Sequence, residues 1–370
     1  MRGVIVGGGV IGLSLARAFS KLGYEVVLIE KGFLGRGASW AAGGMLAPQA
    51  EGLSGAFLDF CLESRNMYRE FAQEVMVDTG DDIGFWECGI ISPAFSEEDA
   101  EMLKRRVFNY NKMGLRAQWL SRDELETAGY ILGKQIVGGA YYPDDKQVDN
   151  RLLTNSLIKF VKSTKVNVME RTIAVMINTD KGRFVSVKTD KGDVSGDFCI
   201  ISAGAWTGEI YNIKVFPVKG QMISFRQNKR DLDKIFYSKK AYIIPRKNSN
   251  MVLVGATEEN VSFKAENTVG GVCVLIKGLL ETFPNMKNRE FTDKWYGFRP
   301  TTPDGLPIIG KTDTENLYVA TGHYRNGILL TPITVKLLVD LIHKKEESPY
   351  LNIFNFFRFN QIEGTRNKSQ

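Results

Sequence analysis

A chain of 370 residues, 44% hydrophobic and 24% charged, has ordinary globular composition and can bury a sizeable core in two domains or one interrupted one. Its 48 basic and 42 acidic residues are interleaved, leaving a net charge of +6 without a dense basic block, which argues against a nucleic-acid partner. Two histidines and four scattered cysteines with no CxxC pair argue against a metal centre and a disulfide framework alike.

The start, "MRGVIVGGGVIGLSLARAF", imitates a signal peptide, but its glycines explain it better. No apolar run reaches the roughly 18 residues a membrane helix needs, so a cytoplasmic protein is expected. "VIV" reads as a short strand, and Gly7, Gly9 and Gly12 form GxGxxG around Val10 and Ile11. Leu13, Ala16, Phe19 and Leu22 follow at helical spacing, and "EVVLIE" is a second strand ending in Glu30. The glycines permit a tight turn and close backbone approach to a pyrophosphate at the positive end of a helix. Glu30 stands 18 residues after Gly12, where a carboxylate can accept both hydroxyls of an adenosine ribose and would repel a 2′-phosphate. NADP is thereby disfavoured, while NAD and FAD, which share the ADP half, are not separated.

"GRGASWAAGGMLAPQAE", residues 35 to 51, is built almost wholly of small residues. Read alone, it is a flexible loop; directly after the ribose-binding strand, it is where an extended FAD would continue toward its flavin. Next come a long helix ("AFLDFCLESRNMYREFAQEV"), a strand in "GIISPAF", and two helices expected to start with capping boxes at Ser96 and Ser121. "DNRLLTNSLIKFVKS" is an amphipathic helix, "VNVME" and "FVSVKTD" read as strands, and "FCIISAGAW" brings the chain back toward the cofactor. Residues 211 to 297 are rich in β-type segments ("MISFRQ", "AYIIPR", "MVLVGAT") with one helix. "NLYVATG" is a last buried strand, and "NGILLTPITVKLLVDLIHK" a helix.

Seven pieces, "VIVGGGVIG", "GASWAAGGMLAP", "CIISAGAW", "AYIIPR", "VGAT", "GFRPTTPDGLPIIG" and "GHYRNGILLTP", span residues 3 to 332. In this order they resemble the FAD-dependent glycine oxidases of thiamine biosynthesis, within the D-amino acid oxidase superfamily. The resemblance implies an α/β protein with an α+β second domain: a discontinuous FAD-binding domain (1–80, 138–210 and 298–370) and an antiparallel-sheet substrate domain (81–137 and 211–297). Relatives that tether FAD covalently carry a cysteine near "TPDG"; none stands there in this chain, so FAD is expected to be non-covalent.

The reaction implied is removal of hydride from an amino-acid α-carbon, hydrolysis of the imine, and reoxidation by dioxygen. Such chemistry needs mainly positioning. By resemblance, Arg299 in "GFRP" binds the substrate carboxylate, the Tyr242 hydroxyl meets the same group, and Met45 lies near the flavin. Arg325, at the turn expected to open the last helix, would stand between that carboxylate and the flavin's pyrimidine edge. The implied cofactor contacts add Lys31, Ala38, Ser39, Gly43, Gly44, Ala174, His323, Tyr324, Asn326, Gly327, Ile328 and Leu329 to the fingerprint residues and Glu30. Arg246 is a weaker carboxylate candidate. A homo-oligomer, tetrameric by resemblance, is expected. Two alternatives stay open: a quinone-linked D-amino acid dehydrogenase docked through the aromatic tail "IFNFFRFN", and a non-catalytic flavin-binding subunit.

Overall fold

The computed structural model describes residues 1–228 and 231–359. A six-stranded sheet runs in the order Ile308–Lys311, Leu317–Thr321, Phe198–Ile201, Arg2–Val6, Glu25–Ile29, Asn167–Met169. All pairs are parallel except the first, which is a hairpin. Parallel strands are covered on both faces, which is why these segments read as unbroken apolar runs. Ile5, Leu28 and Ile200 face a core shared with the helices Val10–Lys21, Gly55–Thr79, Asn150–Ser163 and Thr331–Val339. Their neighbours Val4, Val27 and Cys199 face the opposite way, onto Ile177, Phe184 and Val187 of a three-stranded antiparallel sheet.

The second large sheet has eight strands, in the order Glu290–Thr301, Phe216–Arg226, Met251–Gly255, Tyr242–Pro245, Ile235–Tyr237, Ile90–Ala94, Gly138–Tyr142, Gln118–Ser121. It is antiparallel except where Ile235–Tyr237 meets Ile90–Ala94. Strand Gly138–Tyr142 belongs to this sheet, although the sequence places it beyond the expected crossing at 137/138. The same holds for the end of Glu290–Thr301, which runs past 298 as one unbroken strand.

Two local expectations change. The Ser121 capping box is complete, with Glu124 returning to the Ser121 amide. At Ser96 the hydroxyl accepts from the Asp99 amide, but the Asp99 carboxylate takes the Phe95 amide instead, so the reciprocal half is missing. The last helix begins at Thr331, not at Asn326. Pro332 lacks an amide hydrogen and sits in the first turn, the one helical position where none is needed. The aromatic tail packs on the protein: Phe354 is fully buried in the first core, its ring 4.6 Å from that of Phe60, while Phe356 and Phe359 are buried in a separate small cluster with Val215, Ile308 and Val319. Residues 360–370, part of the expected FAD-binding domain, lie outside the described residues. Among the described residues no helix is long and apolar enough to cross a membrane.

Candidate functional site: a cavity between the two sheets

The first turn explains its glycines. Gly7 has φ +106°, and a Cβ there would lie 2.4 Å from the Ser202 carbonyl oxygen. A Cβ on Gly12 would sit 1.9 Å from the Gly7 carbonyl oxygen, closing the turn against the helix. The helix starts at Val10, whose amide donates to the Ser39 hydroxyl at 2.9 Å, joining the turn to the small-residue loop. Glu30 directly follows the second strand with both carboxylate oxygens engaged: Oε2 accepts from the Gly8 amide and Oε1 from the Gly32 amide, each at 2.8 Å. Its charge is thus held fixed at the cavity wall.

From this turn a cavity of about 370 Å³ runs between the two sheets. Gly7, Gly9, Val10, Ile11, Glu30, Lys31, Ala38, Ser39, Gly43, Gly44, Met45, Ala174, His323, Tyr324, Arg325, Gly327 and Ile328 all line it, as do Arg299 and Tyr242. Three expected contacts do not. Gly12 makes the turn rather than the wall, Leu329 is fully buried in the core, and Asn326 is buried with its side chain toward Glu51. Beside Lys31 the wall is aromatic: its ammonium lies 3.3 Å from the centre of the Trp206 ring, which stacks on Phe263. His323 is buried, its Nε2 paired with the Thr334 hydroxyl at 3.1 Å, and burial pulls its pKa down to about 4. It is therefore neutral at pH 7.

At the other end the side chains come from distant segments. Arg299 lies on Glu290–Thr301, and its Nη1 donates to the Thr257 carbonyl at 3.1 Å, leaving most of its fork for a ligand. Tyr242 opens its strand, half-buried, with its ring parallel to that of Tyr237 and its hydroxyl 3.5 Å from the Met222 sulfur. Met45 is half-buried on a two-residue strand paired with Lys146–Gln147. Arg246 is a structural group: it is buried and donates to the Gly43 and Val148 carbonyls and to Asn150 Oδ1.

Arg325 differs from its expectation. It sits in the turns before the helix, and its guanidinium pairs with Glu258, which also accepts from the Tyr324 hydroxyl. Burial lowers its pKa, but Tyr324, Tyr237 and Glu258 outweigh that and hold it above the ordinary value. The anion that meets this guanidinium inside the protein is Glu258. Sequence reasoning also passed over Glu51, Tyr237 and Met222, all of which line this end of the cavity. Glu51 was the last residue of the small-residue run; the other two sit in ordinary strand patterns and carry no local signal.

The glycine turn that admits no Cβ, the carboxylate oriented by two amides, and the wall formed by Gly43 to Met45, His323 to Arg325, Gly327 and Ile328 fit a dinucleotide extended toward a flat ring system. Fold and site together define a flavin-binding oxidoreductase. The chain belongs to the FAD dependent oxidoreductase family, whose model matches residues 3–341, and FAD is its cofactor. It is 36% identical over 360 residues to the bifunctional protein ThiO/ThiG of a Nostoc species, covering 96% of this chain and 54% of that protein. It therefore spans about half the length of that relative. It is 35% identical to the glycine oxidase of Geobacillus kaustophilus, covering 96% of each chain. The crystal structure of the glycine oxidase from that organism superimposes with a TM-score of 0.91 over 96% of this chain and 99% of the other, at 34% identity.

Proposed function

We propose that this chain oxidises glycine and small amines or D-amino acids such as sarcosine and D-alanine to the imine, which water converts to the 2-oxo acid and ammonia, or methylamine in the case of sarcosine. Electrons pass to dioxygen to give hydrogen peroxide, and the glycine-derived imine supplies the thiazole part of thiamine. The observation that carries this reading is the placement of Arg299 and Tyr242 in the same cavity as the cofactor-binding turn. When bound, FAD supplies the two-electron acceptor for cleavage of the substrate's α C–H bond. The rest is positioning. The Arg299 fork takes the carboxylate, each charged hydrogen bond contributing about 1.5–3 kcal/mol. The Tyr242 hydroxyl adds a donor, and Met45 and Met222 shape an apolar wall that keeps water from the reacting carbon. Arg325, held by Glu258, places a cation beside the carboxylate site without being consumed by it.

FAD is held without a covalent bond; in support, none of the described residues lining the cavity is a cysteine that could tether it. The chain divides into the FAD-binding and substrate-binding parts expected from the sequence, with the middle crossing moved past Tyr142, where the second sheet ends its pairing. The enzyme works in the cytoplasm as a homo-oligomer. Supporting dioxygen over a membrane quinone is the burial of Phe354, Phe356 and Phe359 in the tail, which leaves few apolar groups there to enter a lipid surface. The direct test adds glycine to the purified yellow protein in air. Ammonia and peroxide should appear in equal amounts; their absence, with sarcosine and D-alanine also inert, overturns the reading.

A further inference from the structure

The cavity is lined by three carboxylates, Glu30, Glu51 and Glu209. Glu30 serves the ribose, and Glu209 stands beside Lys31 at the same end. Glu51 shares the other end with Arg299, Tyr242, Tyr237 and Met222 and has no part in binding a carboxylate.

Its backbone is anchored with unusual care. The Glu51 amide donates to the Ala47 carbonyl at 3.0 Å, and the Gln49 and Ala50 amides donate to Asp145 at 3.1 and 2.8 Å. Asp145 is wholly buried and paired with Arg65 at 2.9 Å, while Arg65 also donates to Gln49 Oε1 and Arg106 to the Ala50 carbonyl. The half-buried Glu51 side chain is what this platform presents to the cavity. None of the ion pairs among the described residues includes it. Its neighbours are Asn326, which hydrogen-bonds it, and the Arg325 and Arg299 guanidinium groups, whose charges act on it. Arg325 is already paired with Glu258. That leaves one cation, Arg299, and one anion, Glu51, lining the same end of the cavity, and neither belongs to an ion pair among the described residues.

An amino acid carries the complementary pair, an anion and a cation two bonds apart. We propose that the Glu51 carboxylate is the subsite for the substrate's amino group, and that it selects amino acids over small carboxylates lacking an amine. This rests on the amine-oxidising reading above. A pocket with Arg299 alone would bind acetate as readily as glycine. With Glu51 present, a plain carboxylate leaves an unpaired anion in a desolvated site, a penalty of the kind that discriminates ligands by repulsion. The charge state of Glu51 then matters. Burial raises its pKa to about 7, Asp145 adding to the rise and Arg325, Asn326 and Arg299 opposing it; Tyr237 and Cys61 are the other titratable groups that feel its charge. Glycine affinity should fall as pH drops from 8 to 6 and Glu51 takes a proton, whereas acetate affinity should rise.

The test uses the flavin-loaded wild type and Glu51→Gln, with KM for glycine and the competitive Ki for acetate at pH 8 and 6. Acetate binding is read independently from its perturbation of the flavin absorbance. Glu51→Gln should raise KM for glycine about 10- to 100-fold, leave acetate binding equal or tighter, and abolish the opposed pH trends. Glycine and acetate weakening together would show a structural role, and an unchanged ratio would overturn the proposal. If the variant does not retain flavin, the wild-type pH comparison decides, parallel trends being the contrary result. If the wild type does not oxidise glycine, the functional reading fails, and glycine binding is then read directly from the flavin absorbance in both proteins.

Discussion

At its nucleotide end the cavity is built on contiguous local structure: a glycine turn within residues 7–12, a carboxylate oriented by two main-chain amides, and a loop of Gly and Ala, with Lys31 and Trp206 as the side-chain wall. At its substrate end it is made of side chains from five segments, bearing Met45 and Glu51, Met222, Tyr237 and Tyr242, Arg299, and Arg325. The first end must fit one ligand shape, and backbone geometry written in consecutive residues suffices. The second must match charges a few ångströms apart, which needs long side chains brought together from the eight-stranded sheet and from loops outside it. The nucleotide end should therefore fail by steric damage at single positions, and the substrate end by graded losses of affinity.

The sharpest break is Gly12→Ala. Its Cβ would meet the Gly7 carbonyl at 1.9 Å, and backbone cannot give way there as a side-chain tip could. Loss of flavin on purification is expected, with far-UV circular dichroism near that of the wild type; a yellow, active Gly12→Ala protein would show that the turn does not set the cofactor site. Next comes Arg299→Ala, which on the proposed reading removes the cation that meets the substrate carboxylate. A loss on the order of 3–5 kcal/mol in kcat/KM for glycine is expected, with much smaller losses for amines lacking a carboxylate. Equal losses for both classes would make Arg299 structural.

His323 tests the wall between the two ends. Its folded pKa of about 4 lies below the ordinary 6.5, so the unfolded chain binds the proton more readily. The stability this gives is complete above pH 6.5 and is lost as pH falls toward 4, amounting to roughly 1–3 kcal/mol. Denaturant midpoints of the holoenzyme at pH 7 and 5 should fall in the wild type and fall less in His323→Gln. Parallel falls would remove His323 from the account. The smallest effect is that of Tyr242→Phe, which deletes one donor and keeps the ring against Tyr237. KM for glycine should rise about 10-fold, the value of one hydrogen bond to a charged group, with flavin retention unchanged.

The same contrast governs what was legible in the sequence. Strand, turn, helix, strand and Glu30 are contiguous, so each element's pattern could be read in place, and the structure sets them as expected. The start of the last helix was misplaced because apolar spacing continues upstream through Ile328 to Leu330, although Pro332 carried the correct signal. The partner of Arg325 was illegible: Glu258 is 67 residues away, and only the tertiary fold brings the two together. Glu51 is the instructive omission, an acid closing a run of small residues, ordinary in sequence and conspicuous only once Asp145 and Arg65 are seen to hold its loop.

The most direct measurement mixes the oxidised holoenzyme with glycine without oxygen in a stopped-flow cell, then exposes the reduced protein to dioxygen or to a soluble quinone. Glycine should bleach the flavin absorbance and dioxygen should restore it with release of peroxide. A flavin that glycine leaves oxidised, or one that only the quinone restores, would contradict the account.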